Sequence, residues 1–166
     1  MIAFVALSIL QGLLIFVDEV FYHHKRGLPR WERIGHPLDT ATVILCLLFI
    51  SFAPKTETNE YIYYGLAIFS SVFITKDEWV HHKHCSAEEM WLHALLFVVH
   101  PLLLFSAISL WESHSHFVLM MALGVVVFFV YQIVFWNFIA DRLQERRQAA
   151  RYSQVSQDEL YDYFRE

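Results

Sequence analysis

Asp77-Glu78-Trp79-Val80-His81-His82-Lys83-His84-Cys85-Ser86-Ala87-Glu88-Glu89-Met90-Trp91-Leu92-His93 packs four carboxylates and four histidines into 17 residues. Apolar runs flank it on both sides. The chain carries a second version upstream: Asp18-Glu19-Val20-Phe21-Tyr22-His23-His24-Lys25, then a basic loop, then Glu32-Arg33-Ile34-Gly35-His36. Both copies hold Asp-Glu, His-His-Lys and Glu-x-x-x-His. The offset is 59 residues at Asp-Glu, 58 at His-His-Lys and 57 at the last Glu and His. Such self-similarity is the mark of an internal repeat.

The surroundings of the two copies set the fold class. The chain is 57% hydrophobic and 17% charged, whereas soluble domains are about 25% charged. Charges cluster and leave long uncharged stretches. About 20 apolar residues cross a bilayer as a helix, and the pattern predicts an all-α polytopic bundle of five transmembrane helices. The first runs from Met1 through Asp18 and Glu19 to Tyr22. Gly27 and Pro29 break it, and Pro29 starts a short helix carrying Glu32 and His36. The later spans are Pro37–Ala53, Tyr61–Ile74, Met90–Trp111 and Phe117–Ala140, with Ser86 as N-cap of the fourth. Residues 1–140 then form a transmembrane metal-binding domain, with repeats at about 1–54 and 60–111 and a fifth span at 117–140. Residues 141–166 form a helical and polar tail.

Charge sign fixes an expected orientation. Eleven of the 12 Lys/Arg residues fall in the first loop, the third loop and the tail, leaving Lys55 on the other side. The positive-inside rule places those segments in the cytoplasm and the N-terminus outside, in an inner or plasma membrane. Both motif copies then lie at the cytoplasmic face. Spans one and three run the same way, as do two and four, so the repeat is parallel, about a pseudo-twofold along the membrane normal. No positive charge precedes Lys25, against a cleaved signal peptide. Cys46 and Cys85 form no C-x-x-C pair, no Gly-rich phosphate loop or G-x-S-x-G elbow occurs, and nucleic acid is not an expected partner.

Residues three and four apart share a helix face. Glu19 and His23 are so spaced, as are Glu32 and His36, Glu78 and His82, and Glu89 and His93; His81 is three from Glu78. These nine are the expected metal ligands, with the ligating member of each His-His pair left open. Carboxylate and imidazole without thiolate suit iron, manganese or zinc. Paired carboxylates point to two metals, as in bundles that use Glu and Glu-x-x-His on facing helices. His100, seven residues beyond His93 and about 10 Å deeper, is expected to relay protons, contact substrate or add a ligand. Asp39 could occupy the matching face of the first copy, and Tyr131, Gln132 and Asn137 are weaker candidates for a pocket wall. His84, His114 and His116 read as surface residues.

The pattern resembles membrane fatty-acid desaturases and hydroxylases. Their histidine boxes, H-x-x-x-H and H-x-x-H-H, sit at the cytoplasmic ends of four spans and bind two irons. Glu19-x-x-x-His23-His24 and Glu78-x-x-His81-His82 are similar to the double-His boxes, with Glu in the lead position. Glu32-x-x-x-His36 and Glu89-x-x-x-His93 are similar to the single boxes with the same replacement. The resemblance covers residues 18–93. It implies a di-iron oxidoreductase with an apolar, lipid-like or quinone-like substrate at the cytoplasmic face, surrounded by membrane lipid and served by an electron donor. The alternative is a zinc-dependent membrane lipid hydrolase, or a carrier or sensor of metal ions.

Overall fold

The computed structural model describes residues 1–78 and 85–143, and the side chains of all of these except Arg26 and Asp77. The described residues are helical with short connections. Among the described residues, four helices are long and apolar enough to cross a membrane: α1 (Ile2–His23), α2 (Arg30–Phe52), α4 (Ala87–Leu110) and α5 (Ser115–Leu143). Between α2 and α4 lies α3 (Glu57–Phe73), 17 residues long, extended by a 3-10 turn over Ile74–Asp77. At 1.5 Å per residue α3 alone measures about 25 Å.

Local chemistry sets most helix starts. Thr56 accepts a hydrogen bond from the Asn59 backbone N–H at 3.2 Å, and Ser86 accepts one from that of Glu89 at 3.3 Å. Each satisfies a donor the first helical turn leaves open. Gly27, at φ 81° and ψ 160°, occupies a region closed to residues with a side chain, and there the chain reverses from α1 into α2. Pro29 then precedes the first turn of α2 in extended conformation. The expected boundary at Pro37 is corrected: Arg30–Phe52 is one continuous helix with Pro37 inside it. Its ring costs one backbone hydrogen bond, to the Arg33 carbonyl, in a helix that packs along most of its length.

Side-chain pairs fix the helix directions. On α1 and α4, Asp18 meets His93 and Gln11 meets His100, each at 3.2 Å. As the sequence number falls on one helix it rises on the other, so they run antiparallel. On α2 and α3, Lys76 pairs with Asp39 at 2.6 Å and Thr42 with Ser70 at 2.7 Å. On α2 and α5, Thr40 donates to Gln132 at 2.7 Å, and Arg33 grips Asp141 with two bonds of 2.9 and 2.7 Å. Both pairs of helices are likewise antiparallel. Tyr63 on α3 is fully buried and donates to the Leu104 carbonyl of α4 at 2.7 Å.

The distribution of polarity is the reverse of a water-soluble bundle. Ile2, Val72, Trp91, Met120 and Val127 are exposed, while Asp18, Glu19, His23, Glu32, Glu89, His93, His100 and Gln132 are buried. An apolar exterior around a polar interior suits a lipid solvent, in which ionisable groups face the inside of the bundle. One end is filled by an apolar core around Leu104, Ala107 and Trp111, where the Trp111 indole N–H donates to the Ala53 carbonyl at 2.8 Å. The opposite end holds the acids and histidines.

Candidate metal centre

Among the described residues, two groups of side chains bring ligand atoms together. Asp18, His23, Glu89 and His93 form the first, and His23, Glu32 and His36 the second; within each group the ligand atoms all lie within 4.8 Å of one another. His23 belongs to both. Each half of the chain contributes: Asp18, His23, Glu32 and His36 from the first copy, Glu89 and His93 from the second.

A distortion of α1 builds the first group. Asp18–His23 is a π-helical turn. Its bonds span five residues rather than four, and such turns recur at functional sites. His23 Nε2 comes to 3.2 Å from Asp18 Oδ2, while Nδ1 stands 3.2 Å from Glu19 Oε2. Asp18 therefore reaches two imidazoles, His23 through Oδ2 and His93 through Oδ1. The wider turn also gives His24 its place. Both its backbone N–H and its ring Nδ1 bond the Glu19 carbonyl, the latter at 2.7 Å, and the ring stacks on Phe135 at 4.8 Å. Of the first His-His pair, His23 faces the cluster and His24 does not join either group.

Neighbouring ligands of one ion held at about 2.1 Å stand roughly 3.0–3.4 Å apart. The contacts of Asp18 to His23 and to His93, both 3.2 Å, have that separation. His23 Nε2 is buried and makes no aligned hydrogen bond to Asp18, as befits two groups aimed at a shared third partner. Four carboxylates, Asp18, Glu19, Glu32 and Glu89, are buried here with His23 and His93. Burying several such charges is costly unless protons or a cation compensate them. The donor set fits a hard or borderline divalent metal.

The expected ligands divide as follows. His23, Glu32, His36, Glu89 and His93 lie in the two groups. Glu19 is buried behind His23: Oε2 faces His23 Nδ1, and Oε1 accepts the Trp136 indole N–H at 2.6 Å. That is a second-layer arrangement, a carboxylate fixing the imidazole behind the ligand. Glu78 is half-buried and in neither group. His81 and His82 lie outside the described residues. Asp18 is the member that helical spacing missed. Five positions separate it from His23, which an α-helix turns apart and the π-helical turn brings together; the available signal was its place in the repeated Asp-Glu pair.

A cavity of about 670 Å³ opens from this cluster into the bundle. Asp18, His23, His36 and His93 line one end, and Phe4, Leu103 and Met121 line apolar wall farther along. His100 lines it at mid-depth, with Nδ1 3.2 Å from Gln11 Nε2 and Nε2 2.9 Å from Ser70 Oγ. It belongs to neither metal-capable group. Asp39, the suggested counterpart of His100, holds Lys76. Tyr131 and Gln132 line the cavity, whereas Asn137 is exposed and donates to the Ile133 carbonyl. No protein-family model, curated protein or solved structure matches this chain.

Proposed function

We propose that this chain is a membrane-embedded di-metal oxidoreductase, with iron as the favoured metal, acting on an apolar, lipid-like or quinone-like substrate. The observation that carries this reading is the position of the two carboxylate–imidazole groups at one end of an apolar cavity of about 670 Å³. A pocket of this size and lining takes a hydrophobic molecule and orients it with few polar contacts. Paired iron in mixed carboxylate and imidazole ligation supplies redox chemistry with dioxygen when bound. The residues of this chain have simpler tasks. Asp18, His23, Glu32, His36, Glu89 and His93 would hold the metals, and Glu19 with Trp136 would fix the His23 ring. The apolar wall would admit the substrate and exclude water. Turnover would further require an electron donor.

The membrane arrangement belongs to the same proposal. α3 runs antiparallel to α2 through the Lys76–Asp39 and Ser70–Thr42 pairs, which supports it as the remaining crossing of a five-span bundle. The parallel repeat gains support at mid-depth. Gln11–His100 joins α1 to α4, and Ser70–Thr42 joins α3 to α2. Gln11 and Ser70 are 59 residues apart, the offset of the Asp-Glu pair, and Thr42 and His100 are 58 apart, within one of the 57 that separates the two Glu-x-x-x-His motifs. The metal end would face the cytoplasm.

Metal analysis of the purified protein tests the reading. Two irons per chain with a near-ultraviolet oxo-bridge absorption are expected. Zinc in their place, with no loss of activity on removing iron from the medium, would shift the assignment to a hydrolase, carrier or sensor.

A further inference from the structure

The wall of the cavity carries a polar spot that the metal centre does not use. Ser8 and Gln11, one helical turn apart on α1, both line the cavity. Ser8 Oγ and Gln11 Oε1 are buried atoms with no hydrogen-bond partner among the described residues. Gln11 is only 8% exposed. A helical serine in an apolar environment commonly bonds the carbonyl one turn back, and Ser8 does not. Buried polar groups are nearly always paired, and two unpaired ones on the same cavity wall point to a ligand.

The hydrogen-bond chain behind Gln11 settles which atom it offers. The Thr42 hydroxyl, 2.7 Å from the Asp39 carbonyl, donates to it, since a carbonyl can only accept. Ser70, 2.7 Å from Thr42 Oγ1, must therefore donate to Thr42. Ser70 Oγ then accepts from His100 Nε2–H at 2.9 Å. A neutral imidazole with its proton on Nε2 leaves Nδ1 as an acceptor, and Gln11 meets it with its Nε2 at 3.2 Å. The Gln11 carbonyl oxygen is thereby left for the cavity, an acceptor in need of a donor.

We propose that Gln11 Oε1 and Ser8 Oγ bind the hydroxyl group of an otherwise apolar alcohol, with the ligand hydroxyl donating to Gln11 and accepting from Ser8. Gln11 lies seven residues from Asp18, as His100 does from His93, so the spot stands about 10 Å from the metal cluster along both helices. The alcohol would lie along the cavity with its hydroxyl at Gln11 and an apolar segment toward Asp18 and His93. This deepens the oxidoreductase proposal by naming the substrate class, and it rests on the cavity being the substrate's place.

Equilibrium binding of radiolabelled dodecanol and of dodecyl methyl ether to the full chain in detergent tests it. The ether keeps the chain and the oxygen but lacks the donor. Dodecanol should bind the wild type about tenfold more tightly, the scale of one buried hydrogen bond. Gln11→Leu should abolish that preference, and Ser8→Ala, a smaller change suited to the case that Gln11→Leu does not fold, should reduce it. Equal binding of alcohol and ether by the wild type, binding of neither, or a preference unchanged in the folded variants would overturn the assignment. Metal content measured on the same samples keeps the two readings apart. Metal-free protein that still prefers dodecanol would sink the oxidoreductase reading and leave the hydroxyl site standing.

Discussion

Asp18 and His23 stand five residues apart on one helix, yet Asp18 Oδ2 and His23 Nε2 lie 3.2 Å from each other. The π-helical turn that joins them makes the first metal-capable group possible. Five residues along a regular α-helix is about 140° past one full turn, which would carry one of the two away from the cluster.

That dependence gives the first prediction. Deleting Val20, whose side chain is 41% exposed, should convert the turn to regular α-helix. Circular dichroism should change little, because the helix persists. Metal content should hold, because the deletion leaves Asp18 and His23 four residues apart, a spacing that shares one face of a regular α-helix, whereas Asp18→Asn should lose metal. Loss of metal from the deletion variant to the level of Asp18→Asn would show that the π-helical turn does more than bring Asp18 to His23.

Glu19 and Asp18 should behave differently although they are neighbours. Glu19→Gln removes the carboxylate behind His23 but keeps a side chain able to reach Trp136. Metal affinity should drop about 10–100-fold, the usual cost of losing such a supporting group, and excess metal should restore occupancy. Asp18→Asn should not be rescued by excess metal. Titration of both variants against a competing chelator distinguishes the two.

His100→Ala should leave the metals bound, since His100 lies in neither group. It strips partners from Gln11 and Ser70, both buried, at a stability cost of about 1–3 kcal/mol. Thermal unfolding in detergent together with metal analysis reads both effects; loss of metal at unchanged stability would make His100 a ligand.

Gly27→Ala should destabilise by about 1–3 kcal/mol, the cost of forcing a side chain into a glycine-only backbone region. The backbone there has φ 81° and ψ 160°, and the residue sets the turn that places Glu32 and His36 beside His23. An unchanged melting temperature would mean that the turn can relax.

Much of this organisation was legible in the residues. Apolar runs and clustered charge expose the all-helical, membrane-like character, and four long apolar helices follow the expected spans. Ser86 reads as an N-cap and caps Glu89. The Glu-x-x-x-His spacing finds Glu32 with His36 and Glu89 with His93, because both pairs lie on regular α-helix. It fails where the helix is not regular. Helical spacing selects Glu19 rather than Asp18 because the hydrogen-bonding period changes over Asp18–His23, and nothing in local composition announces a π-helical turn. Pro37 looked like a boundary because proline disfavours helix interiors, yet the packing of α2 on its neighbours outweighs one missing bond. The Gln11–His100 and Ser70–Thr42 pairs were invisible for another reason: they join residues 89 and 28 positions apart, and only the assembled bundle brings them together.

The sharing of His23 between two groups gives the most direct test of the metal centre. Tightly bound metal per chain should be counted by inductively coupled plasma mass spectrometry in the wild type and in His23→Ala, His36→Ala and His93→Ala. Two metals are expected in the wild type, one each in His36→Ala and His93→Ala, and none in His23→Ala. A wild type without metal, or a His23→Ala variant that keeps its full complement, would contradict the di-metal centre.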